Sequence, residues 1–180
     1  MLEITIPAVE LWDETNQQFI TTITQTLQLE HSLVSLSKWE AKWNKPFLTE
    51  KKKTIDETID YIRCMTLTRN VNPIVYNGLT QENIGQITKY INAPMTATTF
   101  SYIENRRTDR EQITAELIYY WMIALNIPFE CQKWHLNRLL TLIKVCNIKN
   151  QPPKKMSTRA VMSRNSSLNA ARRKQFNTKG

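Results

Sequence analysis

Apolar and polar positions alternate through the first thirty residues. Leu2, Ile4 and Ile6 are separated by Glu3 and Thr5, Val9 and Leu11 by Glu10, and Ile23, Leu27 and Leu29 by threonines and glutamines. A period of two predicts strands with one buried face, and the branched side chains of Thr21, Thr22, Thr24 and Thr26 suit a pleated surface better than a helix. With the polar run Asp13–Asn16 as a turn, an antiparallel meander of two or three strands is the simplest arrangement.

From His31 the period lengthens. Leu36, Trp39 and Trp43 recur at helical spacing among Lys38, Glu40 and Lys42, and Pro46 ends the run. Lys51–Lys53 reads as a solvated linker. Thr54-Ile55-Asp56-Glu57 has the form of a capping box, in which the threonine oxygen accepts from the third helical amide while the glutamate reaches back; Ile55, Ile59, Ile62 and Met65 follow along one face. Asn70–Gly78 interrupts the pattern around Pro73. Thr80 then starts a helix bearing Ile84, Ile87 and Ile91 that stops before Pro94. A second box, Thr108-Asp109-Arg110-Glu111, is expected to open the most apolar helix, with Ile113, Leu117, Tyr120, Trp121 and Ala124 on its core face, central to the domain. Asn126-Ile127-Pro128 turns the chain into a last helix striped by Leu136, Leu139, Leu140 and Ile143, and these two helices are expected to pack as a hairpin.

The composition then shifts. Pro152-Pro153-Lys154-Lys155 removes two amide donors and favours an extended linker, which sets a boundary between a domain of residues 1–150 and a segment of residues 151–180. Residues 1–130 hold all 16 acids against 12 bases, a net −4; residues 131–180 hold 12 bases and no acid, a net +12. The whole formal excess of +8 therefore lies at one end, where it is attracted to phosphate or to an acidic protein surface. Val161, Met162, Leu168 and Phe176 are nearly the only sizeable apolar groups of residues 156–180, too few to order the segment alone, so it is expected to be helical or disordered until a partner binds. The fold class is thus mainly α, with a small N-terminal antiparallel sheet and a basic C-terminal tail.

Candidate chemistry changes this picture little. Gly78, Gly85 and Gly180 are the only glycines, and neither a phosphate loop, a dinucleotide fingerprint, a nucleophile elbow nor a zinc-protease helix is written in the chain. Cys64, Cys131 and Cys146 lack metal-like spacing and read as reduced thiols; no metal or cofactor is expected. His31 and His135 are the only candidates for histidine acid–base chemistry, and packing or capping is the simpler role for them. Asp56, Glu57 and Asp60 could mimic a metal or glycosidase pair, but acids in a first helical turn are also what the helix dipole favours. Trp39 and Trp43, four residues apart, either pack in the core or present a face to a partner helix. The tail has the charge for phosphate but Phe176 as its one aromatic platform, which argues against sequence-specific nucleic-acid recognition. No apolar run approaches the length of a bilayer span, and the N-terminus lacks a signal-peptide pattern, so the protein is expected to remain where it is made.

Several runs taken together resemble a family of small proteins of tailed bacteriophages and prophages of Gram-positive bacteria: LEHSLVSLSKWE (29–40), KPFL (45–48), DYIRCM (60–65), APMTAT (93–98), IYYWM (118–122), MSRN (162–165) and LNAARR (168–173). The likeness spans nearly the whole chain and is closest to phage tail assembly chaperones. It implies a non-enzymatic factor of the host bacterial cytoplasm that keeps the tape measure protein soluble while the major tail protein polymerises around it. In that family a ribosomal frameshift often yields a longer form of the same protein, with which the Asn177–Gly180 ending is compatible. The family has no residue-level catalytic motif to carry over, so the expected partner-binding residues are read from the chain's own charge and aromatic pattern: Arg159, Arg164, Arg172, Arg173 and Lys174, with Trp39 and Trp43 on the body. Two alternatives stand beside it: a virion structural protein of the head–tail neck or tail, and a small nucleic-acid-binding or regulatory phage protein.

Overall fold

A computed structural model describes residues 1–13, 17–50, 52–100, 112–150 and 157–178. The chain divides into two compact units, Met1–Asn147 and Ile148–Gly180. The fold is mainly α with N-terminal antiparallel strands.

The strands form a nested hairpin and not a meander. β1 (Leu2–Ile6) pairs with β4 (Gln25–Leu29), and β2 (Glu10–Asp13) with β3 (Gln18–Thr21). One register runs through both pairs: Ile6 lies opposite Gln25 and Glu10 opposite Thr21, and between them the Thr22 amide donates to the Val9 carbonyl at 2.9 Å. Pro7 has no amide to give, so the ladder breaks there and threonine side chains replace it. The Thr22 hydroxyl accepts from the Val9 amide at 2.9 Å and the Thr24 hydroxyl from the Ala8 amide at 3.2 Å. Ile4, Ile6, Leu27 and Leu29 face the core, as alternation requires; Ile23, expected to share that face, sits in the break and is exposed. Residues just after the second helix cover the β4 edge, with the Leu67 amide donating to the Gln28 carbonyl at 2.8 Å.

Local signals then set the helices. α1 (Leu33–Trp43) is capped by Ser32 and ends at Asn44, which takes the left-handed conformation. α2 (Ile55–Met65) opens on the Thr54/Glu57 capping box and α3 (Gln81–Asn92) on Thr80, both at the expected residues. α4 (Ala115–Ala124) is capped by Thr114; the Thr108–Glu111 box expected to open it lies outside the described residues, as do residues 152–155. α5 (Leu136–Asn150) follows a 3-10 turn at Phe129–Lys133.

The core of this unit gathers Leu33, Leu36 and Trp39 of α1, Ile62 and Met65 of α2, Ile87 of α3, Ile118 and Met122 of α4, and Leu136, Leu139 and Ile143 of α5 around the inner face of the ribbon. Ile55, expected on the apolar face of α2, is exposed because it occupies the first turn, ahead of the packed stretch. α4 buries Ala115, Ile118 and Met122 and leaves Tyr120 and Ala124 exposed, so its core face is rotated from the expected one; Ile113, expected on that face, lies ahead of the helix and is exposed. Its principal backbone neighbour is α1 and not α5, which corrects the expected hairpin. Gly78, closing a 3-10 turn at Pro73–Gly78, lies so near the ribbon that an added Cβ would come within 2.6 Å of Val9 Cγ2. No described helix is long and apolar enough to cross a membrane.

The second unit contains α6 (Thr158–Phe176).

Candidate functional site

α6 is nineteen residues long and every side chain described on it is exposed. At 3.6 residues per turn its four large apolar groups, Val161, Met162, Leu168 and Phe176, fall within an arc of about 120°. Arg172 lies inside that arc, with Arg164 on one flank and Arg173 on the other. Arg159 and Lys174 fall outside it. The helix therefore presents an apolar strip edged and interrupted by guanidinium groups, with no carboxylate along its length. Arg173 and Lys174 occupy the last turn, where the helix dipole favours cations, and Asn177 in the left-handed conformation ends the helix as the Thr178 amide donates to the Arg173 carbonyl at 3.2 Å. Chemically such a surface offers bidentate donors for carboxylate or phosphate beside exposed aliphatic and aromatic groups.

The two tryptophans expected on a partner face are placed differently. Trp39 is fully buried, and its indole N–H donates to the Glu57 carbonyl at 2.8 Å. It belongs to the core and is withdrawn from the partner-binding set. Trp43 is half-buried and donates to Asp60 Oδ2 at 2.9 Å, while Lys42 binds the other oxygen of the same carboxylate. Its polar edge is thus occupied between α1 and α2.

The remaining chemical candidates serve the fold. Glu57 accepts from the Thr54 amide at 2.8 Å and pairs with Lys45 at 2.6 Å, and both contacts hold its carboxyl below the usual carboxylate range. The acidic cluster at the start of α2 is therefore a cap and an inter-helix clamp. His31 and His135, the only histidines, pack against each other with ring centroids 5.1 Å apart in the core. His31 Nδ1 lies 2.5 Å from the Tyr61 hydroxyl. His135 Nδ1 accepts from the Asn137 amide at 3.3 Å, so its Nε2 bears the proton that reaches the Tyr90 carbonyl at 3.0 Å. Burial holds both rings neutral, with the His31 pKa pushed down to about 3 and His135 lowered as well. Tyr90 in turn donates to Glu30 at 2.7 Å, and the other oxygen of Glu30 meets the N-terminal ammonium at 2.9 Å. Among the described residues, no group of three His, Cys, Asp or Glu side chains is placed to hold a metal ion.

Two exposed apolar features escaped the sequence reading. Trp12 and Phe19 face each other across β2 and β3 with ring centroids 5.0 Å apart, 53% and 69% exposed. Tyr120 and Ile123, one turn apart on α4, are a second exposed pair, and Phe129 of the following turn is exposed as well. The first was legible in principle, since the two aromatics flank the polar turn symmetrically. Comparison with protein-family models, curated proteins and solved structures gives no match.

Proposed function

We propose that the chain is a non-enzymatic assembly factor of phage tails, holding the tape measure protein soluble while the major tail protein polymerises. The observation that supports this most is α6: a nineteen-residue helix with all its described side chains exposed, four large apolar groups in one arc and cations without acids. An isolated helix of such composition is marginal in water, so contact with another polymer is its natural source of order. A long, largely helical client with acidic and apolar stretches complements both components of its surface. The cations raise the encounter rate and the apolar strip prolongs the contact. The buried setting of both histidines and the structural engagement of Glu57 and Asp60 leave these groups to the fold, which fits a binding role. The expected site is Arg159, Arg164, Arg172, Arg173 and Lys174, with the body as its carrier and the host cytoplasm as its place of action.

The test is co-expression with a phage tape measure protein. The full chain should keep that protein in the soluble fraction and co-purify with it. A full-length variant with Arg164, Arg172 and Arg173 all changed to Glu should lose both effects while its body stays folded. Equal client solubility with wild type, variant and no added protein would remove the reading.

A further inference from the structure

A small apolar socket opens between α2 and α3. It has a volume of about 120 Å³ and is lined by Phe47, Tyr61, Ile62, Ile87 and Ile91, with Ile84 and the exposed Thr88 marking its mouth. Phe47 and Tyr61 stack with centroids 3.9 Å apart and form a rigid wall. Lys53 also lines it. Its ammonium sits 4.0 Å from the centroid of the Phe47 ring and donates to the Phe47 and Glu50 carbonyls, each at 2.9 Å.

Lys53 differs from Lys42 and Lys45. Lys42 and Lys45 are matched to Asp60 and Glu57, whereas no carboxylate among the described residues lies within ion-pair distance of Lys53. Glu50 and Glu57 act on it only at longer range, and partial burial pushes its pKa down. A half-buried cation held by neutral carbonyls beside an apolar cavity gains from a carboxylate brought to it, and a basic ligand would be repelled. The polar cleft beside Trp43 offers no such opening, since Lys42 and Trp43 both turn to Asp60.

We propose that this socket docks a partner segment presenting one leucine-sized aliphatic side chain next to a carboxylate, the side chain entering between α2 and α3 and the carboxylate meeting Lys53. Size selects the side chain: an apolar cavity of roughly 150 Å³ takes a benzene ring, so a slightly smaller, open one suits a leucine and excludes an indole. Charge selects its neighbour. The site asks for the same chemistry as α6, acidic and apolar together, and only the partner's identity rests on the tail-assembly reading.

The test is a titration of the full chain, followed by amide chemical shifts, with an acetylated and amidated peptide in which leucine is flanked by glutamates. Saturable shifts are expected at Ile62, Ile84, Ile87 and Thr88. Changing the glutamates to glutamines should weaken binding about fivefold to tenfold, the scale of one charge-assisted contact. Lys53→Gln should erase that preference, and Thr88→Trp should block the mouth. Should Thr88→Trp unfold the body, Ile84→Glu places a repelling carboxylate at the same spot and must weaken the acidic peptide. Shifts confined to other elements, or binding indifferent to both Lys53→Gln and the mouth variants, would overturn the socket. Those results leave the chaperone assay untouched; conversely, a client kept soluble by no form of the protein sinks the functional reading while the peptide result stands.

Discussion

Glu40 binds Ala115, 75 residues further along the chain, together with Phe47: one oxygen of its carboxylate accepts from the Ala115 amide and the other from the Phe47 amide, each at 2.7 Å. The side chain is buried with no lysine or arginine in ion-pair distance among the described residues, and burial raises its pKa despite the two amides. Ala115 is the first residue of α4, so the carboxylate also meets the positive end of that helix. Glu40→Gln keeps one acceptor and turns an NH2 toward the other amide. The expected loss is about 1–3 kcal/mol, the cost of one buried unsatisfied donor. Urea unfolding followed by tryptophan fluorescence measures it; an unchanged midpoint would show that the clamp contributes nothing.

The paired histidines make stability fall with acid. A histidine whose folded pKa lies below its unfolded value of about 6.5 contributes in full above that pH, because below it the unfolded chain takes up a proton that the folded chain refuses. For His31 the loss begins as pH drops through about 6.5 and continues to about 3. Its limiting slope is about 1.4 kcal/mol per pH unit, and His135, also lowered, adds in the upper part of the window. Unfolding midpoints measured from pH 7.5 down to 4.5 should therefore decline well before ordinary carboxylates titrate. In the folded protein the His31 ring resonances should not move over that range; a titration of His31 near pH 6 would contradict the buried placement.

Two glycines predict opposite outcomes for one substitution. At Gly78 an added methyl meets Val9 at 2.6 Å, whereas at Gly85, within α3, nothing lies within 4 Å. Gly78→Ala should destabilise by about 1–3 kcal/mol through overpacking. Gly85→Ala should stabilise by about 0.5–1 kcal/mol through lower chain entropy and better helix propensity. The contact is specific, so Val9→Ala should recover part of the Gly78→Ala loss, visible as non-additivity in a thermal-melt double-mutant cycle.

What the sequence made legible was local. The Thr54/Glu57 box and the Thr80 cap were readable because a cap involves only residues three or four apart. The pairing of β1 with β4 was not, since alternation tells which face is buried and not which strand lies alongside. Nor was the core face of α4: with Leu117, Ile118, Tyr119, Tyr120, Trp121 and Met122 in succession, apolar groups point in every direction and the period has no phase to give. The tryptophans show the same limit. Trp39 and Trp43 share a helical stripe in the sequence, but with Phe47 and α2 packed against it Trp39 is fully buried, whereas Trp43 is covered only in part. The basic segment was legible as charge; that its apolar groups share one arc depends on the helix continuing unbroken from Thr158 to Phe176.

That shared arc separates two ways in which α6 can hold a partner. If cations on phosphate dominate, affinity should fall steeply with salt, by about 0.9 logarithmic units per tenfold rise for each phosphate contacted on a duplex. If apolar contact with a protein helix dominates, salt should slow association, while dissociation depends on Val161, Leu168 and Phe176. Because these side chains are exposed, Val161→Ser with Leu168→Ser should leave the unfolding midpoint of the body unchanged and still raise the dissociation rate from the tape measure protein. Association and dissociation rates at 50 and 300 mM salt, for wild type and for this double variant, decide between them. A dissociation rate insensitive to the two serines, together with a steep salt slope, would assign α6 to nucleic acid and withdraw the apolar strip from the binding surface.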